Sequence, residues 1–297
     1  MSSSKSPILR RFPIDDFIVR IALVAPEEFL LPGNAHNVVT AMIEHLGEIK
    51  KEVKEAGVWF LTNEQKASFI GDYSLSTPLK YVSLNECRLT RLSLLQIAFS
   101  ITFGTPFGLL DQRDGALVQD IFPKREQIKR VNSSFGSKEN FVFHTDQAYN
   151  VNLFEVPRIV TLSCIRNEEK AITRVIHLLE ILPKLSFSEI EILKQSFFKF
   201  YTGRPHENLA LRIGPVLSEI EGMYMIRVAT DMAPLNKDAQ LALKSLREIM
   251  EITARNVILD SGDILVLPNW FSVHSRVPFI PSQLENKRRW LQRIFVK

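Results

Sequence analysis

Cysteine is scarce in this chain. Cys87 and Cys164 are the only two among 297 residues, and they stand far apart. That spacing supplies neither a disulfide framework nor a zinc pattern, so a reducing, cytoplasmic setting is the default expectation. Charge of one sign is lacking too. The 37 basic and 33 acidic side chains leave a net +4, too little to argue for a nucleic-acid partner. No repeat or low-complexity tract is visible beyond a short serine-rich start, and Met1 to Pro7 has no apolar core of a signal peptide. One uncharged run, Leu92 to Leu110, is 19 residues long, about the length of a membrane span. It carries Ser93, Gln96, Ser100 and Thr102 and is broken by Gly104-Thr105-Pro106. It therefore reads as a buried helix followed by a turn, and no membrane partner is expected.

What remains is ordinary globular composition, 45% hydrophobic and 24% charged, in a chain long enough for a sizeable core. Val38, Val39, Met42, Ile43, Leu46, Ile49 and Val53 fall at helical spacing and predict a helix over 35–56, with Asn34 as N-cap and Gly57 as stop. A second helix is predicted over 92–103. From Ala116 the texture changes to short β-rich segments at 116–121, 141–146, 158–165, 172–176, 223–229, 256–259, 263–267 and 289–296, separated by breakers such as Pro123, Gly136, Pro157 and Gly262. Helices at 186–197 and, after Asn236, at 237–252 interrupt the series. The pattern predicts a mainly β protein with flanking helices (α+β), a double-stranded β-helix of the jelly-roll or cupin type. One domain, 1–297, is expected. Residues 1–110 would form a helical N-terminal part packing on the barrel, and 111–297 the core, with a helical insert at about 178–255. Such barrels hold ligands in their mouths.

The residues with most chemical content are His144, Asp146 and His274. Alternate side chains of a strand share a face, so His144 and Asp146 can reach one metal from one strand while Thr145 faces away. A distant histidine then completes two His and one carboxylate, which leaves open positions on a six-coordinate ion and suits non-haem Fe(II) oxygenases. Zinc is the rival for the same donors, and a lone His-x-Asp pair most often only hydrogen-bonds. No ligand partner is found for His36, His45, His177 or His206. Arg289 follows His274 by 15 residues. Arg289, Leu291 and Arg293 would share one face of the last strand, where a guanidinium fork can bind a carboxylate in two-pronged fashion. One arginine could hold a dicarboxylate cosubstrate and the other a substrate carboxylate. The competing reading is a solvated basic edge strand. Trp290 and Phe295 read as packing residues.

The segments Gly115–Pro123, Asn132–Ser137, Phe143–Asp146, Leu162–Arg166, Ala171–Thr173, Gly262–Leu267, Val273–Arg276 and Arg289–Arg293 run in order through the last two thirds of the chain. Together they resemble the Fe(II)/2-oxoglutarate-dependent oxygenases of the clavaminate synthase-like group, in the taurine dioxygenase superfamily, and within it the amino-acid hydroxylases. The resemblance implies His144, Asp146 and His274 as iron ligands. It implies Arg289 and Thr173 as partners of the far carboxylate of 2-oxoglutarate, and Arg293 as partner of the substrate carboxylate. Ser134, Asp231 and one of Gln112 or Gln119 would lie beside the substrate. Asp146 stands where the amino-acid hydroxylases usually have Glu. Pro268-Asn269-Trp270 replaces the usual Asp-Asn, and His274-Ser275-Arg276 the usual His-Gly-Arg; these two departures bear on the substrate. The carboxylate at Asp146 argues against halogenation, for which the family uses a small residue there.

The expected activity is a 2-oxoglutarate-dependent dioxygenase that uses Fe(II) and O2 to hydroxylate an unactivated C–H bond of an amino acid, or of a natural product derived from one, releasing succinate and CO2. Desaturation or ring closure by the same oxidant is the alternative. A non-catalytic metal-binding cupin-like protein and a zinc hydrolase are the alternatives of a different class, and neither needs the Thr173/Arg289 pair.

Overall fold

A computed structural model describes residues 10–13, 59–62, 76–78, 91–109, 115–151, 153–201, 212–220 and 222–297. In chain order the strands are β1 (Arg10–Pro13), β2 (Trp59–Thr62), β3 (Pro106–Phe107), β4 (Gln119–Ile121), β5 (Phe141–His144), β6 (Ile159–Arg166), β7 (Ile172–His177) and β8 (Phe198–Phe200). They continue with β9 (Arg212–Gly214), β10 (Leu217–Ile220), β11 (Met223–Ile226), β12 (Met232–Pro234), β13 (Arg255–Ile258), β14 (Ile264–Pro268), β15 (Ser272–Arg276) and β16 (Trp290–Val296). The α-helices are α1 (Arg91–Phe103), α2 (Leu178–Ile181), α3 (Phe187–Leu193) and α4 (Lys237–Thr253).

Two sheets position the site. The larger has seven strands in the order β1-β2-β14-β6-β16-β3, with β4 also on β16; the smaller has four, β13-β7-β15-β5. Their inner faces share one core. Val160, Leu162 and Cys164 of β6, Leu265 and Leu267 of β14, and Leu291 and Phe295 of β16 pack with Val175 of β7 and Val257 of β13. These positions alternate by two, as a strand's period requires, and burying each large apolar side chain contributes about 1.5–3 kcal/mol. Polar side chains interrupt the same inward-facing series, Thr173 of β7 and Arg293 of β16 among them, and these line the site.

The outer face of the larger sheet carries α1, the helix of the uncharged run. Its polar residues fasten it down. Ser93 Oγ donates to Gln292 Oε1 at 2.6 Å, Gln96 Nε2 to the Thr161 carbonyl at 3.0 Å, and Ser163 Oγ to Gln96 Oε1 at 2.7 Å. No helix of the described residues is long and apolar enough to cross a membrane. Trp290 and Phe295 are buried packing residues, and the Trp290 indole N–H donates to Asp120 Oδ1 at 2.8 Å. The insert between β7 and β13 packs a second core, in which Leu243, Leu246 and Met250 of α4 meet Ile176 of β7 and Val273 of β15. Asn236 caps α4 by accepting from Ala239 N, where the sequence placed that cap.

The structure departs from the sequence reading at element ends. The segment expected at 141–146 ends as a strand at His144, 116–121 shrinks to Gln119–Ile121, and 223–229 to Met223–Ile226. The helix expected over 186–197 stops at Leu193, and Phe198–Phe200 joins a small sheet instead. Within 1–110, read as helical, β1, β2 and β3 are strands that extend the larger sheet; β2 pairs with β14, some 200 residues on, which no local pattern encodes. The helix over 35–56, with Asn34, Gly57, His36 and His45, lies outside the described residues, as do Cys87, Gln112 and His206.

His177 has a structural role. Its Nδ1 accepts from Leu179 N at 3.2 Å, capping α2, and burial lowers its pKa from 6.5 to about 4. The folded state therefore disfavours the imidazolium. As pH falls below 6.5 the unfolded chain takes up this proton first, so stability declines between pH 6.5 and 4 and levels off below. The full effect is about 3 kcal/mol. Denaturant unfolding at pH 7 and at acid pH is expected to show the loss, and His177→Asn, which caps without titrating, to lose that much less. Equal acid sensitivity of the two proteins would remove His177 as the cause.

Candidate metal centre and active site

β5 and β15 run antiparallel, and His144 stands directly opposite His274 in their register. The two imidazoles face each other with ring centroids 4.3 Å apart, and Phe141 stacks on His144 at 4.2 Å. His144 Nδ1 lies 2.8 Å from the Val142 carbonyl. Donation to that oxygen places the proton on Nδ1 and leaves the Nε2 lone pair for a ligand.

Asp146 reaches the same place by a different route from the expected one. The chain leaves the sheet after His144. Thr145 N donates to the Val228 carbonyl at 2.8 Å, and Gln147 takes a positive φ of 60°, uncommon outside glycine. Asp146 thus lies in a turn and not on the strand. Asn269 holds it there: its Oδ1 accepts from Asp146 N at 2.8 Å, while its Nδ2 donates to the carbonyls of Asp146 at 3.0 Å and Pro157 at 2.9 Å. Asp146 Oδ2 lies 3.5 Å from His274 Nε2, and Oδ1 is paired with Arg293.

The donor set fits a divalent metal. His144, Asp146 and His274 are buried, with candidate ligand atoms all within 4.8 Å of one another. Burial lowers the pKa of His144, against the pull of Asp146. Burial, and then His144, lowers that of His274 to about 3. Both imidazoles are therefore neutral near pH 7, the state a metal needs. Among the described residues no other such cluster occurs.

Two cavities meet here. The inner one, about 40 Å³, lies between the sheets and is lined by Thr173, His274, Leu291 and Arg289, among others. Arg289 is 5% exposed, and its Nη2 lies 3.5 Å from Thr173 Oγ1. Burial lowers its pKa to about 10, which still leaves the guanidinium charged near pH 7. Its backbone N–H donates to Glu169 Oε1 at 3.0 Å. The outer cavity, about 350 Å³, takes in Asp146, Tyr149, Tyr201, Thr230 and Arg130. Ser134, Phe141, His144 and Arg293 line both. Arg293 Nη2 donates to Gln119 Oε1 at 2.6 Å, across the β16–β4 pair. Burial raises the pKa of Cys164 well above the ordinary thiol value, so it stays a neutral packing residue.

The structure therefore gathers His144, Asp146, His274, Thr173, Arg289, Arg293, Ser134 and Gln119 at one end of the inter-sheet space. It does not bring Asp231 there: that side chain is exposed and lines neither cavity. Of the two candidate glutamines, Gln119 is seen against Arg293 and Gln112 lies outside the described residues. Three supporting residues had no role in the sequence reading. They are Asn269, Glu169, and Arg276, whose buried guanidinium donates to the carbonyls of Ser133, Gly136 and Glu139. Asn269 and Arg276 stood within motifs visible in the sequence, beside the departures Pro268 and Ser275, but their partners lie more than 110 positions away.

No family model matches the chain. Its sequence is 30% identical over 222 residues to the L-asparagine oxygenase of Streptomyces coelicolor (strain ATCC BAA-471 / A3(2) / M145), covering 71% of this chain and 62% of that one. It is 25% identical over 206 residues to clavaminate synthase 2 of Streptomyces clavuligerus, covering 65% and 60%. The chain thus spans about three fifths of the length of these relatives. Its fold matches the crystal structure of an asparagine oxygenase in complex with Fe(II), 2S,3S-3-hydroxyasparagine and succinate, with a TM-score of 0.80, 22% identity and coverage of 96% of this chain and 93% of that one. In sequence the chain is similar to these two oxygenases over part of their length, and its fold is that of the solved asparagine oxygenase.

Proposed function

We propose that the protein is an Fe(II)/2-oxoglutarate-dependent dioxygenase that hydroxylates an unactivated C–H bond of an amino acid or amino-acid-derived compound, in a soluble cytoplasmic setting and on a jelly-roll core. The observation that carries this is the buried Arg289–Thr173 pair in the cavity that also holds His274. A zinc hydrolase or an inert metal-binding barrel has no use for a buried cationic fork beside three metal donors. A cosubstrate with a carboxylate at its far end does.

When bound, Fe(II) and 2-oxoglutarate supply O2 activation coupled to oxidative decarboxylation, which yields succinate, CO2 and the power to abstract hydrogen from carbon. The chain's own residues do the rest. His144, Asp146 and His274 would hold the metal, a donor set that suits non-haem Fe(II). Arg289 and Thr173 hold the far carboxylate of the cosubstrate, and Glu169 fixes the backbone from which Arg289 projects. Arg293 is braced by Gln119 and faces the outer cavity, where it binds the substrate's carboxylate beside Ser134. The apolar layer of Leu162, Leu291 and Phe141 keeps water from the inner cavity.

Anaerobic Fe(II) plus 2-oxoglutarate is expected to give the weak visible charge-transfer band of a chelated keto acid. Adding an amino-acid substrate under air should then accelerate succinate release and yield a product heavier by one oxygen atom. Zinc-dependent hydrolysis without either signal would overturn the reading.

A further inference from the structure

The crossover 277–288 leads from the strand of His274 to Arg289, and it is tied down along its length. Val277 N donates to the Ile172 carbonyl at 3.1 Å and Phe279 N to the Ser137 carbonyl at 2.8 Å. Glu169 Oε1 accepts from both Ser282 N at 3.1 Å and Arg289 N at 3.0 Å. Arg166 Nη1 donates to the Asn286 carbonyl at 2.7 Å. The half-buried ring of Phe279 is thereby set against two guanidiniums. Its centroid lies 5.6 Å from the guanidinium carbon of Arg276 and 5.9 Å from that of Arg289. Resting on the function proposed above, we propose that Phe279 is a positioning residue for the cosubstrate, whose ring holds the Arg289 guanidinium in place for the far carboxylate of 2-oxoglutarate.

Arg276 and Arg289 are both buried and both line the inner cavity. Like charges in a poorly hydrated space repel, and Arg289 adds to burial in lowering the pKa of Arg276 to about 9. Arg276 does not give way, because its Nη atoms donate to the carbonyls of Ser133, Gly136 and Glu139. Arg289 is held less firmly. Among the described residues its one side-chain hydrogen bond is the long one to Thr173 Oγ1 at 3.5 Å, and its buried Nε has none. Hydrogen bonds therefore leave the aim of this side chain loosely set. An aromatic ring attracts a guanidinium through its quadrupole, more strongly where water is excluded. A carboxylate placed where Phe279 stands would pair with the Arg289 fork and compete with the cosubstrate. A ring steadies the cation and leaves the N–H fork for the ligand.

The test is anaerobic titration of the Fe(II)-loaded protein, read by the keto-acid charge-transfer band. The two probes are 2-oxoglutarate and 2-oxopentanoate, which lacks the far carboxylate. Phe279→Leu and Phe279→Met keep apolar bulk without the ring. Both are expected to bind 2-oxoglutarate about 2- to 30-fold more weakly and 2-oxopentanoate as before. Phe279→Tyr is expected to restore the affinity. On an Arg289→Gln background, Phe279→Leu is expected to cost nothing further, because the ring acts through the guanidinium. The ratio between the two keto acids is the readout, since a general loosening of the fold weakens both together. A ratio unchanged in both Phe279→Leu and Phe279→Met, a loss that Phe279→Tyr does not recover, or a full second loss on the Arg289→Gln background would overturn the proposal. If the band never forms in the unaltered protein, it is the proposed function that fails, and the role of Phe279 falls with it.

Discussion

Replacing His274 with alanine is expected to abolish 2-oxoglutarate turnover, by at least about a thousandfold or about 4 kcal/mol of transition-state stabilisation, while the protein still folds. The reason is geometric. His274 and His144 form one cross-strand pair, and Asp146 closes the set from a turn held by Asn269. Removing one of three donors leaves two, which hold a divalent metal weakly at ordinary concentrations. The imidazole is neutral in the folded state, so its loss leaves no buried charge unpaired. His144→Ala is expected to behave alike, with the added loss of the ring stacked on Phe141. Iron affinity, succinate release and thermal unfolding should be measured together. Undiminished turnover by the His274→Ala protein at saturating iron would reject the metal assignment, whereas a collapsed unfolding temperature would show a structural role instead.

Arg289→Ala carries the second large effect. The side chain is 5% exposed, and truncating one partner of a buried charge pair costs about 2–5 kcal/mol, on the order of 30- to 5000-fold in affinity. The apparent constant for 2-oxoglutarate should rise by that factor, and the uncoupled reaction without substrate should fall with it. Arg289→Lys is expected to recover only part of the loss, because an ammonium keeps the charge but not the fork. Arg293→Ala should act differently. Arg293 pairs with Asp146 and Gln119 and lines both cavities, so its removal should weaken substrate coupling and disturb the carboxylate ligand. Identical defects in the two variants, in both 2-oxoglutarate constant and uncoupled rate, would dissolve this division of labour.

The legibility of this protein in its sequence follows from how far each signal reaches. Helix α4 was readable with its cap because its information is local: Asn236 bonds three residues on, and its apolar face repeats every three to four residues. The candidate metal donors were readable because donor chemistry is confined to few residue types, and six histidines leave few combinations. The path to Asp146 was not. Alternation along a strand put His144 and Asp146 on one face, but the chain abandons the sheet at Thr145 for Val228. Asp146 is aimed by Asn269, 123 positions away.

The sequence by itself determined the residue types at the site, the β-rich second half, the packed helix at the start of the uncharged run, and the spacing that sets Arg289, just before the final strand, and Arg293 against one cavity. The tertiary structure alone decided that β2 joins β14, that Gln119 braces Arg293, that Asp231 stays outside, and that Arg276 fixes the loop bearing Ser134 and Arg130. Local composition fixes backbone preferences and the supply of chemical groups. Which groups meet is set by sheet register and by buried hydrogen bonds between segments far apart in the chain, and those are satisfied only when the whole fold has closed.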